Sequence, residues 1–260
     1  MSRFAPVVSL RGAQLLEQEG LYGDYHLLLA HQILADPDGW ERLFAEIRAK
    51  RHIDVIVDNS IIELGEPLTD SALLQAVHIV RADYLVLPDC IDDLPETMYR
   101  SFGAAGRIHT EKNLLPDFCE FLAVIQGQTF RECLLCAEVF TRLPRLGAVA
   151  VPRGLPRLFR SRYELTKEVY RISKKPIHLL GFSGYLEDDL ATAKLGFEAG
   201  IMGIDSAVPI REGLAGRWYN YETNRQGLAR RDKNYLNQEL PLGLNDYVRD
   251  NIKWVRDQIA

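Results

Sequence analysis

Short apolar runs alternate with amphipathic stretches at least seven times along this 260-residue chain, and most of the runs end in Asp, Gln or Gly. This pattern predicts an α/β protein with the architecture of a TIM-type (β/α)8 barrel. The repeated strand-then-helix order implies parallel strands joined by crossover helices. Seven or eight such units in one domain, 1–260, favour a closed barrel over an open sheet. The polar residues fall at the C-terminal tips of the runs, where barrel enzymes carry their catalytic groups.

The elements follow in order. Residues 1–24 show little periodicity and are expected to cap the bottom of the barrel. Tyr25–Ala30 reads as a buried strand, and Asp38–Lys50 as a helix that starts at Asp36-Pro37-Asp38. Ile53–Val57 is a β-branched strand that ends in Asp58-Asn59-Ser60. Thr69–Arg81 has helical spacing with Thr69 as N-cap. Tyr84–Leu87 is a strand ending in Pro88-Asp89-Cys90, and Leu94–Ala104 a helix. Phe121–Ile125 ends in Gln126-Gly127 and precedes the helix Phe130–Phe140. Ala148–Val151 ends in Pro152-Arg153-Gly154 and precedes the helix Arg157–Ile172. Ile177–Leu180 ends in Gly181-Phe182-Ser183-Gly184 and precedes the helix Leu186–Leu195. The run Ile201–Ile204 ends in Asp205, and Leu242–Ile259 reads as a terminal helix. The eighth strand is expected within Trp218–Glu222, the alternative being a barrel open at that point.

Composition narrows the class. Apolar residues make up 47% and charged residues 26% of the chain, and the net charge is −5, an ordinary soluble composition. No run is apolar and long enough to span a bilayer, the N-terminus lacks a signal-peptide core, and four cysteines in such a length suit a reducing cytoplasm. The charge is uneven. Arg142–Lys175 carries ten Lys or Arg against two acids, and Arg211–Lys233 six against three. A basic region on an acidic body can steer a polyanion to one face, and Arg153, Arg157, Arg160 and Arg211 are the candidate nucleic-acid contacts.

The strand tips carry the candidate chemistry. Asp58, Asp89, Asp205 and Gln126 would converge over one mouth of a barrel. A carboxylate accepts hydrogen bonds from an amino group and a ring N–H, and an amide serves a carbonyl edge, which suits a purine. A carboxylate is also a nucleophile at an anomeric carbon. Cys133 and Cys136 form a C-x-x-C inside a predicted helix and read as small core groups. None of the six histidines has metal-ligand spacing.

Several stretches resemble the tRNA-guanine transglycosylase superfamily of TIM barrels: VDNSIIELG at Val57–Gly65, LPDC at Leu87–Cys90, AVIQGQT at Ala123–Thr129, GAVAVP at Gly147–Pro152, HLLGFSGYLEDDLATA at His178–Ala193 and GIDSAVPIREG at Gly203–Gly213. The resemblance implies Asp205 as nucleophile, Asp58 as general acid/base, and Asp89 with Gln126 as readers of the base edge. It also implies a backbone contact to the base from Gly147 or Ala148, a purine sandwiched at Ile62 and Leu180 beside Gly181, and Arg211 on the family's Asp-x-x-x-Pro-x-Arg motif. Ile62 and Leu180 depart from the family's aromatic and Met, and Phe182 or Tyr185 are the candidate replacements. The zinc motif of members that act on tRNA is missing, since no Cys follows Cys136.

The chain is therefore most similar to the short zinc-less 7-deazaguanine DNA transglycosylases of phages and bacteria. The implied reaction exchanges guanine in a polynucleotide, DNA in preference to tRNA, for a base such as 7-cyano-7-deazaguanine, with no cofactor. The alternatives are the same exchange on tRNA, a non-catalytic nucleic-acid-binding relative, and an unrelated barrel acting on sugar phosphates. The oligomeric state is left open.

Overall fold

A computed structural model describes residues 3–111, 114–154, 161–183, 185–196, 200–226 and 243–260. Eight parallel strands form its centre: β1 (Arg3–Pro6), β2 (Tyr25–Leu29), β3 (Asp54–Asp58), β4 (Tyr84–Val86), β5 (Glu120–Val124), β6 (Leu146–Pro152), β7 (Ile177–Leu180) and β8 (Ile201–Ser206). Ladders run in the order β1-β8-β7-β6-β5-β4-β3-β2, and β1 and β2 lie against each other at the seam. The result is a nearly closed (β/α)8 barrel.

The strand that completes it is not the expected one. Trp218–Glu222 is no strand; it is a loop running into a short helix, Tyr221–Gln226. The eighth member is Arg3–Pro6, paired with β8 through Phe4↔Ile204 and Ala5↔Asp205. Four residues that include an Arg and a Pro carry no apolar signature. Arg3 lies across the Tyr25 ring, 4.5 Å from its centroid, and pairs with Asp54.

Side chains alternate along each strand. Val55, Val57, Leu85, Phe121, Val149, Val151, Leu179 and Ile204 face outward into the main apolar cluster beneath the helices. Tyr25, Leu27, Leu29, Ile56, Val86, Leu122, Val124, Ala148 and Ala150 fill the barrel interior. The surrounding helices include α1 (Leu10–Gln18), α2 (Ala30–Ala35), α3 (Pro37–Lys50), α4 (Ile61–Leu64), α5 (Asp70–Val80), α6 (Leu94–Ala105), α7 (Phe130–Phe140), α8 (Arg162–Ser173), α9 (Leu186–Lys194), α10 (Val208–Leu214), α11 (Tyr221–Gln226) and α12 (Asp246–Ile259). Thr69 caps α5 as the sequence predicts, and Thr129 and Glu132 form a capping box on α7. Cys133 and Cys136 are buried on α7, and burial pushes both thiols up to about 12. They are core groups in the thiol form. Among the described residues no helix is long and apolar enough to cross a membrane.

Two buried polar groups shape stability. Arg162, in the basic stretch Arg142–Lys175, is fully buried. Its guanidinium pairs with buried Asp189 at 2.9 Å and donates to the carbonyls of Val151, Leu180 and Gly181 at 2.5–3.0 Å. Asp189 also accepts from the Ser183 N–H at 2.5 Å. The pair thus ties the ends of β6 and β7 to α8 and α9. Arg162→Met strands a buried carboxylate and is expected to cost about 3–5 kcal/mol, read from the urea unfolding midpoint. Arg162→Met combined with Asp189→Leu should recover most of the loss.

His26 points outward from β2 against Tyr22 and Phe44, with ring centroids 4.3 and 5.3 Å away. Among the described residues neither of its ring nitrogens has a hydrogen-bond partner. Burial first, then the Arg51 and Arg48 charges, push its pKa down to about 3. Above pH 6.5 the ring is neutral in the folded and the unfolded chain alike. Below that, the unfolded chain takes up a proton that the folded chain refuses until about pH 3. Stability should fall by up to about 1.4 kcal/mol per pH unit across this window. In His26→Leu that contribution should vanish, so between pH 7 and pH 5 the parent's urea midpoint should fall more steeply than the variant's. A parent midpoint that falls no faster than the variant's would refute the buried neutral state.

Candidate active site

The C-terminal ends of β3, β4, β5, β7 and β8 bring together the acids that the sequence places at strand tips. Asp58 ends β3 and accepts the Ser60 N–H at 2.7 Å through Oδ1. Ser60 is buried and held at φ 63°, left-handed backbone that a non-glycine residue adopts at a cost. Burial, with added repulsion from Glu63, Asp89 and Asp205, pushes the Asp58 carboxyl up to about 8, against the Ser60 N–H that lowers it. At neutral pH Asp58 is therefore largely a neutral acid beside other carboxylates.

Asp89 and Gln126 form one unit. Gln126 Nε2 donates to Asp89 Oδ2 at 2.7 Å, and Asn59 Nδ2 donates to Asp89 Oδ1 at 3.1 Å. Gln126 Oε1 accepts the Asp92 N–H at 3.1 Å, while Asn59 Nδ2 also reaches the Leu87 carbonyl at 2.9 Å. Burial raises the Asp89 pKa against these amides. The carboxylate is oriented on both oxygens, each with acceptor capacity left, and Gln126 keeps a second amide hydrogen.

Asp205, near the end of β8, is buried. Its Oδ1 is bonded to His178 Nε2 at 2.9 Å and accepts the Gly181 N–H at 3.0 Å. Gly181 stands at φ 67°, a conformation suited to glycine. His178 Nδ1 meets the Tyr25 hydroxyl at 2.6 Å.

The structure sets Asp58, Asp89, Gln126 and Asp205 at the C-terminal strand ends, as the sequence expects, and adds Asn59, Tyr25, His178 and the Arg162–Asp189 pair, which the sequence did not single out. A signal existed for His178. It stands two residues before Leu180 on one strand, so it shares the inward face with Leu180.

The other expected residues are placed less uniformly. Leu180 ends β7 against the interior cluster, and Ile62 sits on α4, half exposed. Gly147 and Ala148 lie low on β6. Ala148 pairs with Leu122, about 13 Å along the strand from Pro152, and a Cβ on Gly147 would meet Glu120 at the foot of β5. The β6 positions nearer the mouth are Ala150 and Pro152. Phe182 is buried, stacked on Phe4 and Tyr219 with centroids 6.0 Å from each, and is not available to a bound base. Tyr185 is exposed. Arg153 is exposed just beyond β6, whereas Arg211 on α10 is largely buried beside Glu212. Arg157 and Arg160 lie outside the described residues. Exposed Ile62, Leu64, Ile91 and Tyr185 all fall on the segments that follow β3, β4 and β7 at the mouth.

No family model matches this chain, and no curated protein matches it. Among solved structures it is similar to a variant of the citrate synthase SbnG. The TM-score is 0.52, at 12% identity over 83% of this chain and 91% of that one. At that identity the likeness concerns the barrel fold alone.

Proposed function

We propose that this protein is a base-exchange glycosyltransferase that replaces guanine in a polynucleotide, DNA in preference to tRNA, with a 7-deazaguanine. The observation that carries this reading is the presence at the mouth of two acids in different settings. Asp205 has one oxygen held by two donors, which suits a nucleophile. Asp58 is raised to about 8, which suits a proton donor and acceptor at neutral pH. Asp89 and Gln126, bonded to each other, supply the acceptors and donor that a guanine edge requires. The exposed apolar residues of the rim favour a base drawn out of its stack, and Arg153 suits a phosphate beside it.

In the first displacement, a lone pair of Asp205 Oδ2 forms a bond to the sugar C1′ as the C1′–N9 bond breaks. That bond's electron pair passes to the guanine ring, and Asp58 gives up its proton so that guanine leaves neutral. In the second, Asp58 takes the N9 proton of the incoming deazaguanine. The freed nitrogen pair bonds C1′, and the C1′–O pair returns to Asp205. Two inversions retain the anomeric configuration.

The test incubates purified protein and 7-cyano-7-deazaguanine with guanine-containing DNA and, separately, with tRNA, followed by mass spectrometry of the nucleosides. Modified deoxynucleoside is expected. Modification of tRNA alone would move the substrate to RNA, and modification of neither would remove the base-exchange reading. In the same series, Asp89→Ala should weaken calorimetric binding of free 7-cyano-7-deazaguanine by about 1.5–3 kcal/mol, the scale of a hydrogen bond to a charged group. Undiminished affinity would exclude Asp89 as base reader.

A further inference from the structure

We infer that His178 and Tyr25 are positioning residues for Asp205: together they keep its Oδ1, the carbonyl oxygen of the glycosyl-enzyme ester, hydrogen-bonded and so govern the second displacement, in which Oδ2 leaves C1′. This rests on the base-exchange reading and adds to it a division of labour between the two carboxylate oxygens.

His178 is completely enclosed in the barrel and engaged at both ring nitrogens. A carboxylate only accepts, so the hydrogen on the 2.9 Å contact belongs to His178 Nε2. In the tautomer that carries its hydrogen on Nε2, Nδ1 is an acceptor, and the Tyr25 hydroxyl, 2.6 Å away, is the donor it meets. Tyr25 is itself buried, and burial holds its hydroxyl well above the usual phenol range, so it keeps the proton it donates. The carboxylate sets Nε2 as the N–H, and the hydroxyl serves Nδ1 and holds the ring in place. The placement of Tyr25 is exacting. Its ring occupies the space that a side chain on Gly203 would need, since a Cβ there would come within 2.3 Å of ring atom Cε1. The Arg3 guanidinium lies over the ring on the way to Asp54. The line Arg3–Tyr25–His178–Asp205 thus runs up the barrel interior to the mouth.

His178 Nε2–H and Gly181 N–H converge on the same oxygen. Two donors stabilise a full carboxylate more than an ester carbonyl. They therefore favour the free nucleophile over the glycosyl-enzyme, and they assist the step in which the C1′–Oδ2 bond breaks and its electron pair returns to Asp205. Removing the His178 donor shifts the balance toward the covalent species. A general loosening of the site would slow formation and breakdown alike and leave that balance where it is.

The experiment turns over a guanine-containing DNA oligonucleotide with 7-cyano-7-deazaguanine, quenches in acid at steady state, and measures the covalent fraction of enzyme by intact mass. His178→Leu should raise the ratio of covalent to free enzyme about tenfold or more, the scale of one charge-assisted hydrogen bond. His178→Gln, whose amide can donate to the same oxygen, should restore the ratio most of the way. Tyr25→Phe keeps the ring in the Gly203 gap and should raise the ratio by a smaller factor. It also keeps the inference testable if His178→Leu does not fold. An active parent with an unchanged covalent fraction in the soluble variants would overturn the roles of His178 and Tyr25 and leave the base-exchange reading standing. A parent that exchanges no base would fail at the earlier reading instead.

Discussion

Asp205→Asn is expected to abolish base exchange, with a loss on the order of 10⁴-fold or more, as for removal of other covalent nucleophiles. The amide is nearly isosteric and sits at the mouth end of β8, so the barrel should unfold at close to the parent midpoint. Its oxygen can still accept from His178 and Gly181, which keeps the local geometry. What it lacks is an anionic oxygen able to bond C1′. Loss of activity together with loss of fold would leave the role of Asp205 in doubt; loss of activity in a protein with parent-like unfolding assigns it to chemistry. A variant that exchanges guanine at the parent rate would remove the covalent mechanism.

The second large effect belongs to Asp58. Asp58→Asn should slow exchange on the order of 10²–10⁴-fold, the range for a lost general acid/base. In the parent, guanine release should decline as pH rises through about 8, because the acid that must protonate the departing base becomes a carboxylate. Asp58→Asn should lack that limb. The same proton makes the folded chain less stable as pH rises. The folded chain keeps a proton on Asp58 that the unfolded chain gives up above the ordinary value of 3.8, so holding this acid costs increasing stability from about pH 4 to about pH 8. The Asn variant should therefore melt above the parent, by a margin that widens between pH 5 and pH 8. A rate flat through pH 8 in the parent, or a variant that melts lower at pH 8 than the parent, would contradict the protonated state of Asp58.

The barrel was legible because its strands and helices advertise themselves locally. Phe130–Phe140 and Ile177–Leu180 are read from the sequence with the bounds the structure has; one has a capping box at its start and helical spacing, the other is a compact apolar run. Arg3–Pro6 was not legible, since its strand character comes from its ladder with β8 and not from its own residues. The acids were legible as polar residues ending apolar runs. Their partners were not. Tyr25 and His178 meet across 153 positions, and Arg162 and Asp189 across 27. In the sequence Arg162 is one of ten cations in Arg142–Lys175, and Asp189 one of the acids opening a helix. Only burial shows that each neutralises the other. Gly147 and Ala148 illustrate the opposite error. The resemblance set them beside the base, whereas their register on β6 sets them below the mouth.

The most direct measurement of the central claim is to mix the parent protein with a guanine-containing DNA oligonucleotide, quench in acid, digest with protease and map the adducted peptide by mass spectrometry. The account predicts a nucleic-acid adduct on Asp205 that declines when 7-cyano-7-deazaguanine is added before the quench, with modified DNA as the product. Base exchange that proceeds with no adduct on Asp205, or with the adduct on another residue, would contradict it.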